Sequence, residues 1–303
     1  LQLTGWTGIM IYDGALSING IFKNGKWLWA IVIGLLIAAW IFIGIKNVSK
    51  LNIASLSALF ILTVVLCKII FFSGNNSVIN STQEEAMSFG AAVELAAAMP
   101  LSWLPLISDY TKESNKPVVS SLLSSLVYGA TSCWMYLIGM GAAIFTSETD
   151  ISLILLKSGL GWAALVIVIL STVTTTFLDA FSAGISFETI SSKPNGKTVA
   201  LIVTALGTIG AVFLPMDNIT NFLYLIGSVF APMISIQVAD FFVLKNDSSA
   251  KKIDLQKTVI WFLGFALYRI SLSWNFILGN TLPVMLIIFA VTVAAGKIFG
   301  KKK

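Results

Sequence analysis

The sequence predicts an all-α polytopic membrane protein, on three observations. Of the 303 residues 57% are hydrophobic and only 11% are charged, against about a quarter charged in a soluble domain. The apolar residues gather into runs of about twenty, the length a helix needs to cross a bilayer. Those runs are apolar throughout, without the alternating polarity and the roughly ten-residue length of barrel strands. Ten spans are expected, at Leu1–Ile21, Trp27–Ile45, Leu51–Phe72, Met87–Ser108, Val118–Phe145, Gly161–Ile190, Val199–Leu214, Asn218–Leu244, Thr258–Leu272 and Leu282–Ala295.

The first span opens at Leu1, with no charged region or cleavage site ahead of it, so the chain reads as lacking its start. The connections between spans alternate in charge. One face carries 14 lysines, among them Lys46, Lys50, Lys112, Lys193, Lys251 and Lys301, whereas the loops of the other hold only Lys23 and Lys26. By the positive-inside rule the lysine-rich face is cytoplasmic, with Leu1 at the cytoplasmic end of its span and the C-terminus inside. The net charge of +5 therefore reports orientation, and no nucleic-acid partner is expected. Zero histidines and two cysteines, Cys67 and Cys133, both in apolar runs, exclude histidine-ligated metal sites, Ser-His-Asp catalysis and a disulfide framework. No enzymatic activity and no cofactor are expected. Asn75-Asn76-Ser77 and Asn80-Ser81-Thr82 match a glycosylation pattern that a polar connection supplies by chance.

A charged side chain at bilayer depth costs at least about 2.5–3.5 kcal/mol, so acids within spans point to function. Asp13, Glu94 and Asp179 are in this position, and Glu94 or Asp179 could carry a coupling proton. Asp109, Glu188 and Asp240 stand near cytoplasmic helix ends, where solvation is cheap. In the sixth span Thr172, Thr175, Asp179, Ser182 and Ser186 recur at helical spacings of three and four, a polar stripe that lipid cannot meet. Hydroxyls alone can glue helices together. With Asp179 beside them they also suit a small cation, and the carboxylate suits the N–H donors of a polar ligand.

The fourth span holds Pro100 and Pro105 after a run of small residues. Each removes a backbone donor, which predicts a broken or kinked helix, and broken helices at membrane depth are found where backbone faces protein or a cavity. Trp6, between Gly5 and Gly8, can serve as a flat binding platform or as an interfacial anchor. The stretch from Asn221 through Gly227 and Pro232 to Asp240 is a second proline-interrupted span and fits a moving gate.

These residues resemble the nucleobase:cation symporters (the purine-cytosine permease family), in particular the branch of cytosine and hydroxymethylpyrimidine permeases. The resemblance runs over the whole chain and is most specific at Trp103-Leu-Pro-Leu-Ile-Ser-Asp109-Tyr-Thr-Lys112, at Thr174-Thr-Thr-Phe-Leu-Asp179-Ala-Phe-Ser-Ala-Gly184, and from Asn221 through Pro232 to Asp240. It implies a twelve-helix transporter whose first ten helices form a five-plus-five inverted repeat. The ten spans would be the third to the twelfth, in one transporter domain over 1–303: 1–72 ending the first repeat, 87–244 forming the second, and 258–295 two extra helices.

The resemblance also implies a site. Trp6 matches the tryptophan that stacks on the substrate ring. Ala98, Met99, Pro100 and Ser102 match a substrate-facing break, with Met99 and Pro100 where an aromatic is usual. Ser171, Thr174 and Thr175 match half of a sodium site, and Asp179 stands where a substrate-binding asparagine is typical, which suits a ligand with an exocyclic amine. The implied function is secondary active import of a planar nitrogen heterocycle, hydroxymethylpyrimidine (a thiamine precursor) or cytosine, coupled to sodium or protons across the bacterial inner membrane. An amino-acid or other polar-solute transporter on the same architecture, and a membrane sensor that binds without transporting, are the alternatives.

Overall fold

A computed structural model describes residues 1–72, 87–107, 114–146, 161–191, 193–246, 253–274 and 276–299. Within them the chain forms ten α-helices: α1 Gln2–Phe22, α2 Lys26–Ile43, α3 Ile45–Phe72, α4 Phe89–Trp103, α5 Pro117–Thr146, α6 Gly161–Glu188, α7 Gly196–Phe213, α8 Ile219–Val238, α9 Leu255–Ser271 and α10 Thr281–Phe299, with a π-helical turn Ala239–Leu244 continuing α8. There is no strand among the described residues. Seven helical segments, in α2, α3, α5, α6, α7, α8 with its π turn, and α10, are long and apolar enough to cross a membrane; α4 is apolar but shorter.

Helix boundaries follow local chemistry. Gly44, at φ +85°, is the single residue that separates α2 from α3, so α3 begins six residues before the expected span. Asn195 caps α7 by accepting from the Thr198 N–H at 2.9 Å, Asn218 caps α8 through the Asn221 N–H at 3.1 Å, and Ser88 caps α4 through the Ala91 N–H. Each takes up one of the amide donors that a helix start leaves unpaired.

The fourth span is interrupted as expected, but at Pro105 and not at Pro100. The helix runs unbroken through Pro100. Proline deprives the Ala96 carbonyl of its donor, yet the Leu104 N–H still bonds to the Pro100 carbonyl at 3.0 Å and carries the helix past it. The interruption comes after Trp103, in the turn around Pro105. Pro232 is likewise tolerated inside α8. Asp109, Lys112 and the tripeptides at Asn75 and Asn80 lie outside the described residues.

The chain divides into two compact units. The first comprises 1–82 and 114–217, the second 83–113 and 218–303. In the first, α1, α2, α6 and α7 enclose a core that includes Ile11, Ala15, Ile33, Val173, Phe177 and Ala200. Beside it α3 and α5 join through Leu62, Leu66, Ile70, Ile138 and Ala142, and the Trp134 indole N–H donates to the Thr63 hydroxyl at 3.1 Å. In the second, Ala231 and Ile236 of α8 pack with Ile260 and Tyr268 of α9 and Val284 and Ile288 of α10. Lys257 of α9 pairs with Asp240 in the π turn. Asp240 is one of the acids expected near the cytoplasmic face.

Candidate functional site

In the first unit, contacts between α1 and α6 set the height of the site. Phe22, at the end of α1, packs on Trp162, at the start of α6, with ring centroids 5.1 Å apart. Nearer the middle of both helices, a methyl group added at Gly14 would meet the Thr172 methyl at 2.9 Å. Two contacts in reversed order establish that the helices run antiparallel. At 1.5 Å per residue, Trp6 lies about 12 Å from the Gly14–Thr172 contact along α1, and Asp179 about 10.5 Å from it along α6, on the same side. The indole and the carboxylate therefore stand at one level of the unit. A second close approach holds α1 beside α7: a methyl at Gly207 would fall 2.8 Å from Thr7 Cγ2 and 3.1 Å from the Gly8 backbone nitrogen. Thr7 and Gly8 directly follow Trp6, so this crossing fixes the turn that carries the indole.

Asp179 is 4% exposed and forms no hydrogen bond or ion pair among the described residues. A buried polar group without a partner is rare and costly, so a carboxylate that no described residue pairs, in the middle of a membrane helix, is an acceptor suited to a ligand's donors. One to two turns away are Ser171, Thr174 and Thr175. Ser171 and Thr174 are buried and Thr175 is half-buried. The Thr174 hydroxyl donates to the Ser171 carbonyl at 3.0 Å, which points its proton back into the helix and leaves the oxygen's lone pairs available. An oxygen presented in that way suits a hard cation. The Thr176 hydroxyl is likewise bonded back, to Thr172 at 2.7 Å. No cluster of three or more acidic, histidine or cysteine side chains exists among the described residues.

The second unit holds the remaining expected residues on α4. Ala98 and Ser102 are fully buried, on the same face as Gly90 and Glu94, and that face packs within the unit. Met99 and Pro100 are half-buried, and the Ser102 hydroxyl donates to the Met99 carbonyl at 2.7 Å. Glu94 is 1% exposed, and its surroundings are the opposite of those of Asp179. Its carboxylate accepts from the Asn280 N–H at 2.6 Å, the Thr281 N–H at 2.7 Å, the Thr281 hydroxyl at 2.5 Å and the Tyr268 hydroxyl. Tyr268 and Thr281 escape a reading of the sequence, because they lie 174 and 187 positions from their partner. The Gly279-Asn280 pair before an apolar run marks a helix start, and that is the only local signal.

The other acids separate equally clearly. Asp13 is exposed on α1, and its neighbour Tyr12 donates to Asp217 at 2.8 Å. Glu188 accepts from the Gly196 N–H at 2.6 Å, at the start of α7.

Comparison with known proteins agrees with this architecture. No family model matches the chain. Cytosine permease of Escherichia coli strain K12 is 22% identical over 239 residues, which cover 78% of this chain and 57% of that protein, and the cytosine permease of strain O157:H7 aligns to the same extent. The chain thus spans somewhat over half the length of these curated relatives. Among solved structures, an inward-facing conformation of Mhp1 superposes with a TM-score of 0.75 at 16% identity, covering 99% of this chain and 72% of that one. By name, the curated relatives are permeases. The chain is a multi-pass membrane protein, all-α among its described residues, that is similar in sequence to the cytosine permeases and has the fold of Mhp1.

Proposed function

We propose that the protein is a secondary active transporter that imports a nucleobase-like heterocycle, cytosine or hydroxymethylpyrimidine, together with a sodium ion or a proton. The observation that carries this reading is the buried Asp179 carboxylate, unpaired among the described residues and at the level of Trp6. An aromatic face and an acceptor-only group at one height suit a flat ring bearing an exocyclic amine: the indole takes the ring's face, and the carboxylate takes the in-plane N–H donors. Ala98, Met99, Pro100 and Ser102 of α4 are also kept as substrate residues. Ser171, Thr174 and Thr175 are assigned to sodium. Cation and substrate would stabilise the same occluded state, each raising the other's affinity by the same factor. The domain is taken as one transporter over 1–303 in the bacterial inner membrane, with the C-terminus cytoplasmic, as the lysine distribution supports. Uptake of labelled cytosine into proteoliposomes under imposed sodium or proton gradients tests the reading. Uptake that responds to neither gradient, or competition by amino acids rather than pyrimidines, would reject it.

A further inference from the structure

Two acids among the described residues, Glu94 and Asp179, lie deep in the helices, and Glu94 is the one the transport reading does not use. A carboxylate has about four lone-pair positions, and Glu94 fills them with four donors, two from backbone amides at the start of α10 and two from hydroxyls of Thr281 and Tyr268. Nothing remains for an ion or a substrate. The geometry instead makes Glu94 a cap supplied by another helix. Asn280 precedes α10 but leaves its own side-chain oxygen without a partner, and Glu94 takes up the amides of Asn280 and Thr281 in its place. Gly279 makes this possible: at φ +73° it turns both amides toward the carboxylate, and a side chain there would lie 2.7 Å from Glu94 Oε2. A negative group at a helix N-terminus is further favoured by the helix dipole. Glu94 is one turn before Ala98 and five residues before Met99 on a helix of only 15 residues.

We propose that Glu94 is a positioning residue that pins α4 to the start of α10, sets where the Met99–Pro100 turn stands, and takes no part in ion coupling. The assignment of that turn to the substrate rests on the function proposed above, so the test reads the two separately. The first readout is the rate at which maleimide labels Met99→Cys in the whole protein in membranes, with Cys67→Ala and Cys133→Ala as background. The second is the affinity for cytosine with Met99 intact. Glu94→Ala leaves four donors without an acceptor and is expected to change labelling severalfold and weaken cytosine binding about tenfold or more. Glu94→Gln still offers the amides a carbonyl oxygen and is expected to recover part of both. Altered labelling with unaltered affinity would uphold the pin and remove the turn from the substrate site. Glu94→Gln as inactive as Glu94→Ala, with Met99→Cys labelled at the original rate, would overturn the proposal in favour of a coupling charge. If Glu94→Ala does not fold, Tyr268→Phe and Thr281→Val each remove one hydroxyl donor at nearly constant shape, and unchanged labelling in both would equally overturn it.

Discussion

Replacing Asp179 with asparagine should move stability and affinity in opposite directions. Asparagine is nearly isosteric, so the surrounding packing is kept while the charge disappears. The carboxylate is 4% exposed and unpaired among the described residues. An unpaired buried amide costs about 1–3 kcal/mol and a carboxylate more, so Asp179→Asn should stabilise the empty protein by about 1 kcal/mol or more. At about 2–4 °C per kcal/mol, that is a measurable rise in Tm. Binding should change the other way. Losing a charge-assisted hydrogen bond costs about 1.5–3 kcal/mol, which is about 10- to 150-fold in Kd. Because the amide also offers a donor, preference should shift from aminopyrimidines toward rings that present a carbonyl. Thermal unfolding in detergent and competition binding with cytosine and uracil measure both effects on one preparation. A lower Tm, with every heterocycle weakened alike and their ranking unchanged, would refute the reasoning and make Asp179 a structural or coupling group.

Three further outcomes are expected. Trp6→Ala should weaken cytosine binding about tenfold or more, since stacking on a base is worth about 1–3 kcal/mol, while Trp6→Phe should retain part of it; unchanged affinity in Trp6→Ala would leave Trp6 a membrane anchor. Thr174→Ala combined with Thr175→Ala should abolish the stimulation of uptake by sodium at nearly constant protein abundance, and equal loss with and without sodium would remove the ion from this turn. Gly207→Val would drive side-chain atoms into Thr7 and the Gly8 backbone, so it should destabilise by about 1–3 kcal/mol and lower both Tm and substrate affinity; a neutral effect on both would show that the crossing does not hold Trp6.

The helical architecture was legible because long apolar runs admit one solution in lipid, where every backbone group must be paired within its own segment. Boundaries failed where a single residue decided them. Gly44 ends α2 and lets α3 begin almost at once, although Lys46 and Lys50 read as a loop. Pro100 looked like a break and is accommodated by a helix that needs only one fewer hydrogen bond. Among the acids, sequence alone could not separate Glu94 from Asp179, since each is a lone carboxylate in an apolar run. What separates them is how many donors surround each one, and those donors come from parts of the chain far away. Asp13 looked equivalent to both and proves to be on an exposed face of its helix.

The antiparallel register of α1 and α6 behaves as a ruler. Its marks are Phe22 against Trp162 and Gly14 against Thr172, and Trp6 is read off by counting back from them. Removing a single residue between Gly8 and Gly14, even one with no chemistry of its own, would shift the indole about 1.5 Å along the helix and rotate it by about 100°. The aromatic surface would then face a different neighbour. In this part of the chain the number of residues carries as much information as their identity, so a relative that keeps the site should keep that spacing even where its side chains have drifted.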